Sequence, residues 1–277
     1  MHGRRRYITV IAIVLLVCAA CAVIYPLVSD YFARQQHAEI VLAATNTAAS
    51  ATPAQLLAEK DAARRYNKAL LDATETVTRK QYDALCNLSG DGIIGVLKIP
   101  SIDVSLPIYH SVDTDVLKRG VGHIYGSSLP VGGIGSHAAL SGHSGMQGQR
   151  MLSELEQMEI GDYFLIYVLG ETLVYQTTQI KTVLPDDVSD LNIEAEKDSV
   201  TLITCTPFGI NTHRLLVRGE RVSVPDEQIE VIAGAAAGKP STWMRQYLRS
   251  LLSGIGVAAV IIGVYAVIYR RRRKNNV

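Results

Sequence analysis

Two charge-free apolar segments, one near each end, constrain the fold of this 277-residue chain more than any other feature. Residues 7–28 and residues 251–269 contain no Asp, Glu, Lys or Arg. Each segment is close to the roughly 20 residues that an α-helix needs to cross a hydrocarbon core of about 30 Å. The sequence therefore predicts two transmembrane helices that flank the rest of the chain.

Basic residues lie at the outer end of both segments and predict their orientation. Three arginines occur within residues 1–6, and five basic residues follow the second segment within 270–277. Because positively charged flanks stay in the cytoplasm, both termini are predicted to be cytoplasmic and the region between the spans extracellular, at the cell membrane. A cleaved signal peptide is the alternative for residues 7–28, but the apolar length favours an anchor.

The formal net charge of +1 combines two basic ends with an acidic region between them. The two terminal clusters hold eight of the 27 basic residues, which leaves 19 basic against 26 acidic residues elsewhere. Such a region repels phosphates, so nucleic-acid binding is not expected. Neither metal-ligand spacing nor a glycine-rich phosphate loop occurs, and we expect no cofactor and no metal.

Residues 29–89 are predicted to form an extracellular linker and a helical arm. The linker, at 43–54, is rich in Ala, Thr and Ser, and the arm covers 52–88. Thr52 and Gln55 match the N-cap and N3 positions of a capping box. Apolar residues then follow at helical spacing: Leu56, Ala63, Tyr66, Leu70, Ala73 and Val77. This narrow stripe is typical of a helix that packs along one side of a larger domain.

Residues 90–224 have the pattern of a β domain, which a second linker at 225–250 joins to the second span. Several segments predict strands: 102–109 alternates strictly, 162–184 indicates a hairpin that turns at Gly170 and Glu171, and 199–205 and 213–219 flank a turn-rich loop. Residues 149–158 favour a helix. Short strands separated by Gly and Pro turns predict a mainly β fold that closes, or nearly closes, into a barrel.

The stretch TLITCTPFGINTHRLLVRG, residues 201–219, carries the candidate chemistry. Cys205 ends the first strand at a turn and the second strand begins near His213, so antiparallel pairing brings Arg214 beside the cysteine. Alternation places Cys205 and Thr204 on opposite faces. A nearby positive charge favours the thiolate, which is the nucleophilic form of cysteine.

Acyl transfer by a thiolate also needs a proton donor for the leaving amine. His143 lies in SGHSG at the end of an apolar strand, where small neighbours leave room for a substrate. His137 has the same strand parity and is the competing candidate, although it lies at the beginning of that strand. His213 is expected to face away from the site. His110 and His123 lie in turn-like sequence that favours a solvated or structural role.

These motifs resemble the sortases, which are cysteine transpeptidases on the outer face of Gram-positive membranes. TLITCTP, NTHRLLVRG and SGHSG match the cysteine, arginine and histidine contexts of that family, and GVLKIPSIDVSLPIYH, GVGHIYGSSLPVGG and HAALSGHSG resemble its class C, pilus-assembling branch. The resemblance covers residues 90–224, and two flanking spans also fit class C. It implies an eight-stranded sortase β-barrel as the catalytic domain.

The resemblance also implies residue roles and partners. Cys205 would attack the Thr–Gly carbonyl of an LPXTG-like sorting signal and form a thioester, His143 would protonate the leaving amine, and Arg214 would hold the substrate carbonyl or its oxyanion. A pilin lysine amine would then resolve the thioester and join pilin subunits. Thr204 resembles the family threonine that precedes the cysteine and would shape the substrate-binding groove; a strand threonine that bonds locally is the alternative.

Three other functions fit parts of the pattern. A housekeeping-type sortase would use the same three residues and transfer surface proteins to the cell-wall peptide amine. A papain-like protease is disfavoured because the histidine precedes the cysteine in the chain and Arg214 replaces the Asn of that family. A non-enzymatic membrane adaptor would use Cys205 only for packing.

Only two cysteines lie outside the predicted spans, Cys86 and Cys205. Cys86 lies in the predicted helical arm, where a cysteine is typically a small buried apolar side chain. We therefore expect Cys86 to fill space in the core and not to form a disulfide with Cys205.

Class C sortases commonly carry an N-terminal lid whose Asp-Pro-aromatic tripeptide lies in the active site. In this sequence Pro53 is the one proline between Val28 and Ile99, and its neighbours are Thr52 and Ala54, so the tripeptide does not occur. We therefore expect the arm to brace the barrel and to leave the candidate cysteine open.

Overall fold

The computed structural model describes residues 2–73, 77–144, 146, 148–235 and 241–274. The chain divides into two compact units. One unit contains the two apolar ends of the chain, and the other, Tyr25–Lys239, contains the candidate residues. The second unit therefore positions the site.

A closed barrel of eight strands forms the centre of the larger unit, in the order β1-β2-β3-β4-β7-β8-β6-β5. Neighbouring strands pair antiparallel except β2 with β3 and β4 with β7, which pair parallel. The predicted mainly β, eight-stranded barrel is confirmed. The strands are β1 (Ile93–Ile99), β2 (Val104–Tyr109), β3 (Val121–His123), β4 (Ser136–Ser141), β5 (Tyr163–Val168), β6 (Glu171–Val183), β7 (Asp198–Thr206) and β8 (His213–Arg221).

Alternating side chains divide β4, β7 and β8 into an inner and an outer face. Leu140, Leu202 and Val217 belong to the large apolar cluster that fills the barrel. Ile203 and Leu216, one position along the chain from Leu202 and Val217, belong to a second, smaller cluster on the outer face. Burying each such side chain stabilises the fold by about 1.5–3 kcal/mol, so this register is strongly preferred.

The predicted hairpin forms between β5 and β6 and turns one residue earlier than expected. Leu169 and Gly170 both have positive φ angles, 47° and 77°. Two central residues with positive φ are typical of a type I′ turn, whose twist matches that of the paired strands. Gly170 adopts this conformation without the steric cost that a side chain would bring.

Within the described residues the α-helices are α1 (His2–Ser50), α2 (Pro53–Asp72), α3 (Arg79–Asp83), α4 (Thr114–Leu117), α5 (Asp226–Gly234) and α6 (Thr242–Lys274). Two stretches of them, Ile13–Ser50 in α1 and Tyr247–Val264 in α6, are long and apolar enough to cross a membrane. These two helices are consistent with membrane anchoring.

Both predicted linkers are partly helical. Helix α1 continues to Ser50, so residues 43–50 are not irregular. Alanine is the strongest helix former, and the hydroxyls of Thr45 and Thr47 donate to the carbonyls of Val41 and Ala43 one turn earlier, so both side chains find partners within the helix. In the second linker α5 covers Asp226–Gly234, and α6 begins before the predicted span.

The predicted helix over residues 149–158 is wrong. Only one short 3-10 turn, Leu155–Gln157, forms there. The apolar side chains of Met151, Leu152, Leu155 and Met158 are all buried in the barrel core, so the segment folds across one end of the barrel. Tertiary packing has overridden the local preference of these residues for a helix.

The arm begins as predicted and is interrupted before residue 88. The Thr52 hydroxyl accepts from the Gln55 N–H, and the Gln55 side chain accepts from the Thr52 N–H, which completes the capping box. Helix α2 ends at Asp72, α3 is a separate short helix, and residues 74–76 lie outside the described part of the chain. The arm is therefore two helices rather than one.

Helix α2 packs against one particular end of the barrel. Lys60 forms an ion pair with Glu171, where β6 begins, and Leu71 lies against Gly135, just before β4. The buried Asn67 side chain donates to the Leu129 carbonyl at 2.9 Å and accepts from the Leu129 N–H at 2.7 Å. The arm thus braces the end of the barrel at which β4 and β6 start.

Replacing Asn67 with Ala leaves two buried backbone groups of Leu129 without partners, and we expect this to cost about 2–4 kcal/mol. The Tm of the 277-residue chain in detergent should fall by roughly 5–15 °C in differential scanning calorimetry. Lys68→Ala, at the exposed neighbouring position, is the matched control and should shift the Tm by less than about 2 °C. Equal shifts for the two variants would contradict this account of the brace.

Candidate active site

Strands β7 and β8 place the candidate cysteine opposite the candidate arginine. Their antiparallel register pairs Ile203 with Leu216 and Cys205 with Arg214. Directly opposite residues in such a pair have Cβ atoms about 4.5–5.5 Å apart and point to the same face. The expected juxtaposition of Cys205 and Arg214 is therefore present, on the outer face of the barrel.

The parallel pairing of β4 with β7 brings in His143 from a distant part of the sequence. Its last registered pair is Ser141 with Ile203. His143 lies two residues after the end of β4, and Cys205 lies two residues after Ile203 on β7. The three candidate residues therefore lie at the same end of the barrel, where β4 and β7 end and β8 begins.

Hydrogen bonds fix the residues around His143 to the end of β7. The Gly142 N–H donates to the Ile203 carbonyl at 2.9 Å. The buried Thr204 hydroxyl donates to the Gly142 carbonyl at 2.8 Å, and the Ser144 hydroxyl donates to the Cys205 carbonyl at 2.5 Å. The residues on both sides of His143 are thus hydrogen-bonded to the strand that carries the cysteine.

Ser144 and the backbone contacts of Gly142 were not predicted to have a role. The sequence SGHSG indicated only that there is space around the histidine. A Cβ on Gly142 would lie 2.7 Å from the Leu152 side chain, so the glycine permits the close approach of the segment that closes the barrel. The small residues on both sides of His143 were the sequence signal that could have indicated this close packing.

The three candidate side chains are partly exposed, which allows a substrate to reach them. Arg214 donates from Nη1 to the carbonyls of His213 (3.1 Å) and Asn211 (3.4 Å). No carboxylate within the described residues forms an ion pair with Arg214. Its charge is therefore not neutralised by an acidic side chain of that part of the chain.

His137, the competing candidate, occupies a different position. It is 1% exposed, its Nδ1 donates to the Asn192 carbonyl at 2.9 Å, and its Nε2 accepts from the Thr201 hydroxyl at 2.7 Å. Burial lowers the pKa of its imidazole. Thr201 is four residues from Cys205 on β7, which corresponds to about 13 Å. His137 therefore supports the connection between β6 and β7 and lies away from the cysteine.

His123 and His110 also lie outside the site. His123 is fully buried, contacts the Tyr82 hydroxyl through Nδ1, and donates from Nε2 to the Ser128 carbonyl. Burial lowers the pKa of His123 to about 4, so it stays neutral at physiological pH. His110 is buried and stacks edge-on against Tyr82. Both residues have the structural role that their sequence surroundings favoured.

An apolar cluster on the outer face lies beside Cys205. It consists of residues from β4, β6, β7 and β8 with two partly buried neighbours, and its members are Ala139, Val183, Ile203, Leu216, Ile124 and Leu191. Alternation within β7 predicts that Ile203 shares the face of Cys205, but the contributions of β4 and β6 depend on pairings that the sequence alone does not reveal. The cluster therefore fills the outer face of these strands with buried apolar side chains next to the candidate site.

The arm lies at the other end of the barrel. Helix α2 contacts the starts of β4 and β6, whereas the candidate residues lie at the ends of β4 and β7 and at the start of β8. No hydrogen bond or ion pair joins the described part of the arm to His143, Cys205 or Arg214. This placement agrees with the expectation of a brace that leaves the cysteine open.

The second cysteine of this unit differs from Cys205 in its surroundings. Cys86 is 2% exposed and belongs to the barrel core, as expected for an apolar filler. Burial raises the pKa of its thiol to about 12. Both cysteines are free thiols, so no disulfide blocks the candidate site.

Comparisons with known proteins identify relatives of the chain. Residues 97–222 match a family model described as Sortase domain. A structure of sortase C1 from Streptococcus agalactiae is 38% identical, covers 68% of this chain and 100% of its own, and superposes with a TM-score of 0.65. Sortase C from Clostridium perfringens, solved with the C-terminal cell wall sorting motif, is 36% identical with a TM-score of 0.62, again over 68% and 100% of the two chains.

A curated relative with a sortase name matches a shorter part of the chain. Sortase D from Bacillus subtilis (strain 168) is 34% identical over 132 residues, which is 47% of this chain and 64% of the relative. The chain thus matches somewhat less than two thirds of that protein.

Iodoacetamide at pH 8 should modify Cys205 at least about 100-fold faster than Cys86, because a thiol with a pKa near 12 is only about 0.01% thiolate at that pH. The rates are measured on the 277-residue chain in detergent by mass spectrometry of the two cysteine peptides. Asn67→Ala, which loosens the arm, should leave the Cys205 rate within about threefold. A rise of more than about tenfold would mean that the arm covers the site.

Proposed function

This chain belongs to the sortase family, and from that premise we propose that it is a membrane-anchored class C transpeptidase. It cleaves an LPXTG-type sorting signal between Thr and Gly and transfers the new carboxyl end to a pilin lysine amine. The observation that carries this proposal is the position of Cys205 opposite Arg214, with His143 two residues after the end of the neighbouring strand β4. The similarity to two structures named sortase C supports the class.

Cys205 is the nucleophile of the first half-reaction. Its thiolate Sγ attacks the carbonyl carbon of the threonine, and the resulting tetrahedral oxyanion collapses to a thioester as the Thr–Gly bond breaks. The leaving glycine amine takes its proton from the His143 imidazolium. The neutral imidazole that remains is ready to act as a base.

The second half-reaction reverses these proton movements. The acceptor amine attacks the thioester carbonyl, gives a proton to His143, and forms an amide as the thiolate leaves. Cys205 and the imidazolium are thereby regenerated. With a lysine ε-amine as acceptor the product is an isopeptide bond.

Arg214 stabilises the oxyanion that forms in both halves. It lies directly opposite Cys205, and its charge is not paired with a carboxylate of the described residues. A positioned donor of this kind contributes a factor of about 10²–10³ to the rate, because the charge it contacts develops only in the transition state.

Thr204 acts through the backbone in this proposal. Its side chain is buried and donates to the Gly142 carbonyl, so it shapes the groove by holding the strand end that carries His143. In this proposal the local hydrogen bond of Thr204 is the means by which this residue shapes the groove. Ser144 supports the opposite side of His143 through the Cys205 carbonyl.

The domain boundaries and membrane topology form part of the proposal. Residues 7–28 and 251–269 are the two spans, the catalytic domain at 90–224 lies outside the cell, and both basic termini lie in the cytoplasm. Two apolar helices support this arrangement. An extracellular barrel with a free thiol then faces the proteins that carry sorting signals.

Replacing any one of the three site residues should abolish most of the activity while the barrel remains folded. For His143→Ala and Arg214→Ala we expect kcat/KM for a fluorescence-quenched LPXTG peptide to fall about 10²–10⁴-fold, and for Cys205→Ala to be undetectable. His137→Ala is the matched control, since this histidine lies about 13 Å along the sheet. If His137→Ala abolished turnover of folded protein and His143→Ala retained it, the assignment would be wrong.

The identity of the acceptor separates the pilus-assembling function from the housekeeping alternative. Supplied with an LPXTG peptide and equal amine concentrations of a purified pilin subunit and a peptidoglycan stem peptide, the chain should form the pilin isopeptide at least about tenfold faster. Mass spectrometry of the cross-linked peptides measures both products. Preferential labelling of the stem peptide would favour the housekeeping function.

A further inference from the structure

Helix α1 contacts the loop that carries His143. Asp30, on the barrel-facing side of the helix, is 5% exposed. Its carboxylate accepts from the Arg150 Nε at 2.9 Å and from the Arg150 backbone N–H at 3.2 Å. One carboxylate thus holds both the side chain and the backbone of a residue seven positions after His143.

Described residues of the same loop contact one another and the helix. The Leu152 N–H donates to the His143 carbonyl at 3.0 Å, and the Leu152 side chain is fully buried in the barrel core. Gly148 lies against the helix so closely that a Cβ there would be 2.2 Å from the Ser29 hydroxyl. The loop is therefore held by the helix on one side and by β7 on the other.

The contact through Asp30 is a charge-assisted hydrogen bond that reaches the loop after His143 directly. A cavity of about 420 Å³ opens between this part of α1 and β2 and is lined by Asp30, His37, Asp103 and Arg150, among others. Asp30 also accepts from the Arg34 Nε at 3.2 Å within the helix. A charge-assisted hydrogen bond to a guanidinium fixes distance and direction better than apolar packing does.

We propose that Asp30 is a positioning residue for the reaction, because it holds the His143 loop in register with Cys205 through Arg150. The inference rests on the proposed catalytic role of His143. Asp30 lies two residues beyond the predicted span at 7–28, so the anchor helix becomes part of the support of the catalytic site. Without this contact the barrel still folds, but the imidazole is less often in place.

A pair of Asp→Asn variants tests the proposal on the 277-residue chain in detergent micelles. Asp30→Asn removes the charge that holds the loop. Asp103→Asn removes the ion pair that Arg34 makes from the same helix to a residue just before β2. Asp103 is 61% exposed in its side chain and has a φ of 54°, which asparagine tolerates well, so this control is conservative.

For the fluorescence-quenched LPXTG peptide, Asp30→Asn should lower kcat at least about tenfold and leave KM within about threefold, because misplacing a catalytic group by about 1 Å is costly. Asp103→Asn should leave both constants within about twofold. Equal effects of the two variants on kcat would overturn the proposal.

The pH profile of Cys205 alkylation distinguishes positioning from general destabilisation. If Asp30 acts through His143, the profile of Asp30→Asn should shift towards that of His143→Ala, while that of Asp103→Asn should match the unmodified chain. A fall in kcat without this shift would overturn the proposal. If His143→Ala itself retained full turnover, the proposed function would fail, whatever Asp30→Asn does.

A second variant applies if Asp30→Asn does not fold. Gly148→Ala introduces a Cβ against Ser29 while the Asp30 charge stays paired. It should lower kcat, and adding Ser29→Gly should restore at least about half of the lost turnover, since the clash is removed and only the backbone strain at Gly148 remains. If the single and double variants had equal kcat values, the contact between the helix and the loop would not matter for catalysis. That result would overturn the proposal.

Discussion

The candidate site depends on the position of β7 between a parallel neighbour and an antiparallel one. The pairing with β8 sets Cys205 against Arg214, and the pairing with β4 brings the strand end that precedes His143 to the same end of the barrel. A slip of one residue in either ladder would turn these side chains to the other face, into the barrel core. The apolar clusters on the two faces oppose such a slip, because Leu202 packs only inside and Ile203 only outside.

Different segments of the chain cover the two ends of the barrel. At the end where β4 and β6 begin, α2 adds Ala63 and Tyr66 to the core, and Asn67 satisfies a buried backbone pair. At the opposite end the segment after His143 covers the core with its own apolar side chains. The support from α2 thus lies away from His143, Cys205 and Arg214, and these candidate residues stay partly exposed.

Sequence reasoning succeeded where the determining contacts are local. The pairing of Cys205 with Arg214 follows from two adjacent strands and one short loop, and the capping box at Thr52 follows from a four-residue pattern. His143 could only be a candidate, because its partner strand lies about 60 residues away and parallel pairing leaves no turn signal in the sequence. The Asp30 contact could not be predicted either, since an acidic residue beside a predicted span is ordinarily assigned to the solvent.

The incorrect expectations have physical causes as well. Residues 43–50 look like a linker in composition, yet alanine stabilises a helix wherever no Pro or Gly interrupts it. Residues 149–158 have helical periodicity, but Leu152 and Leu155 gain more by entering the barrel core than by lining a helix. For residues 149–158 the competing interaction, packing into the barrel core, lies outside the segment whose periodicity was used.

The central claim is that Cys205 forms a covalent intermediate with the sorting signal. The direct measurement is the mass of the intact chain after acid quenching of a reaction with an LPXTG peptide in the absence of any acceptor amine, followed by peptide mapping. The account predicts a hydroxylamine-sensitive adduct of the peptide's acyl portion on Cys205, absent from Cys205→Ala. Release of the glycine fragment without an adduct, at the same rate in Cys205→Ala, would contradict it.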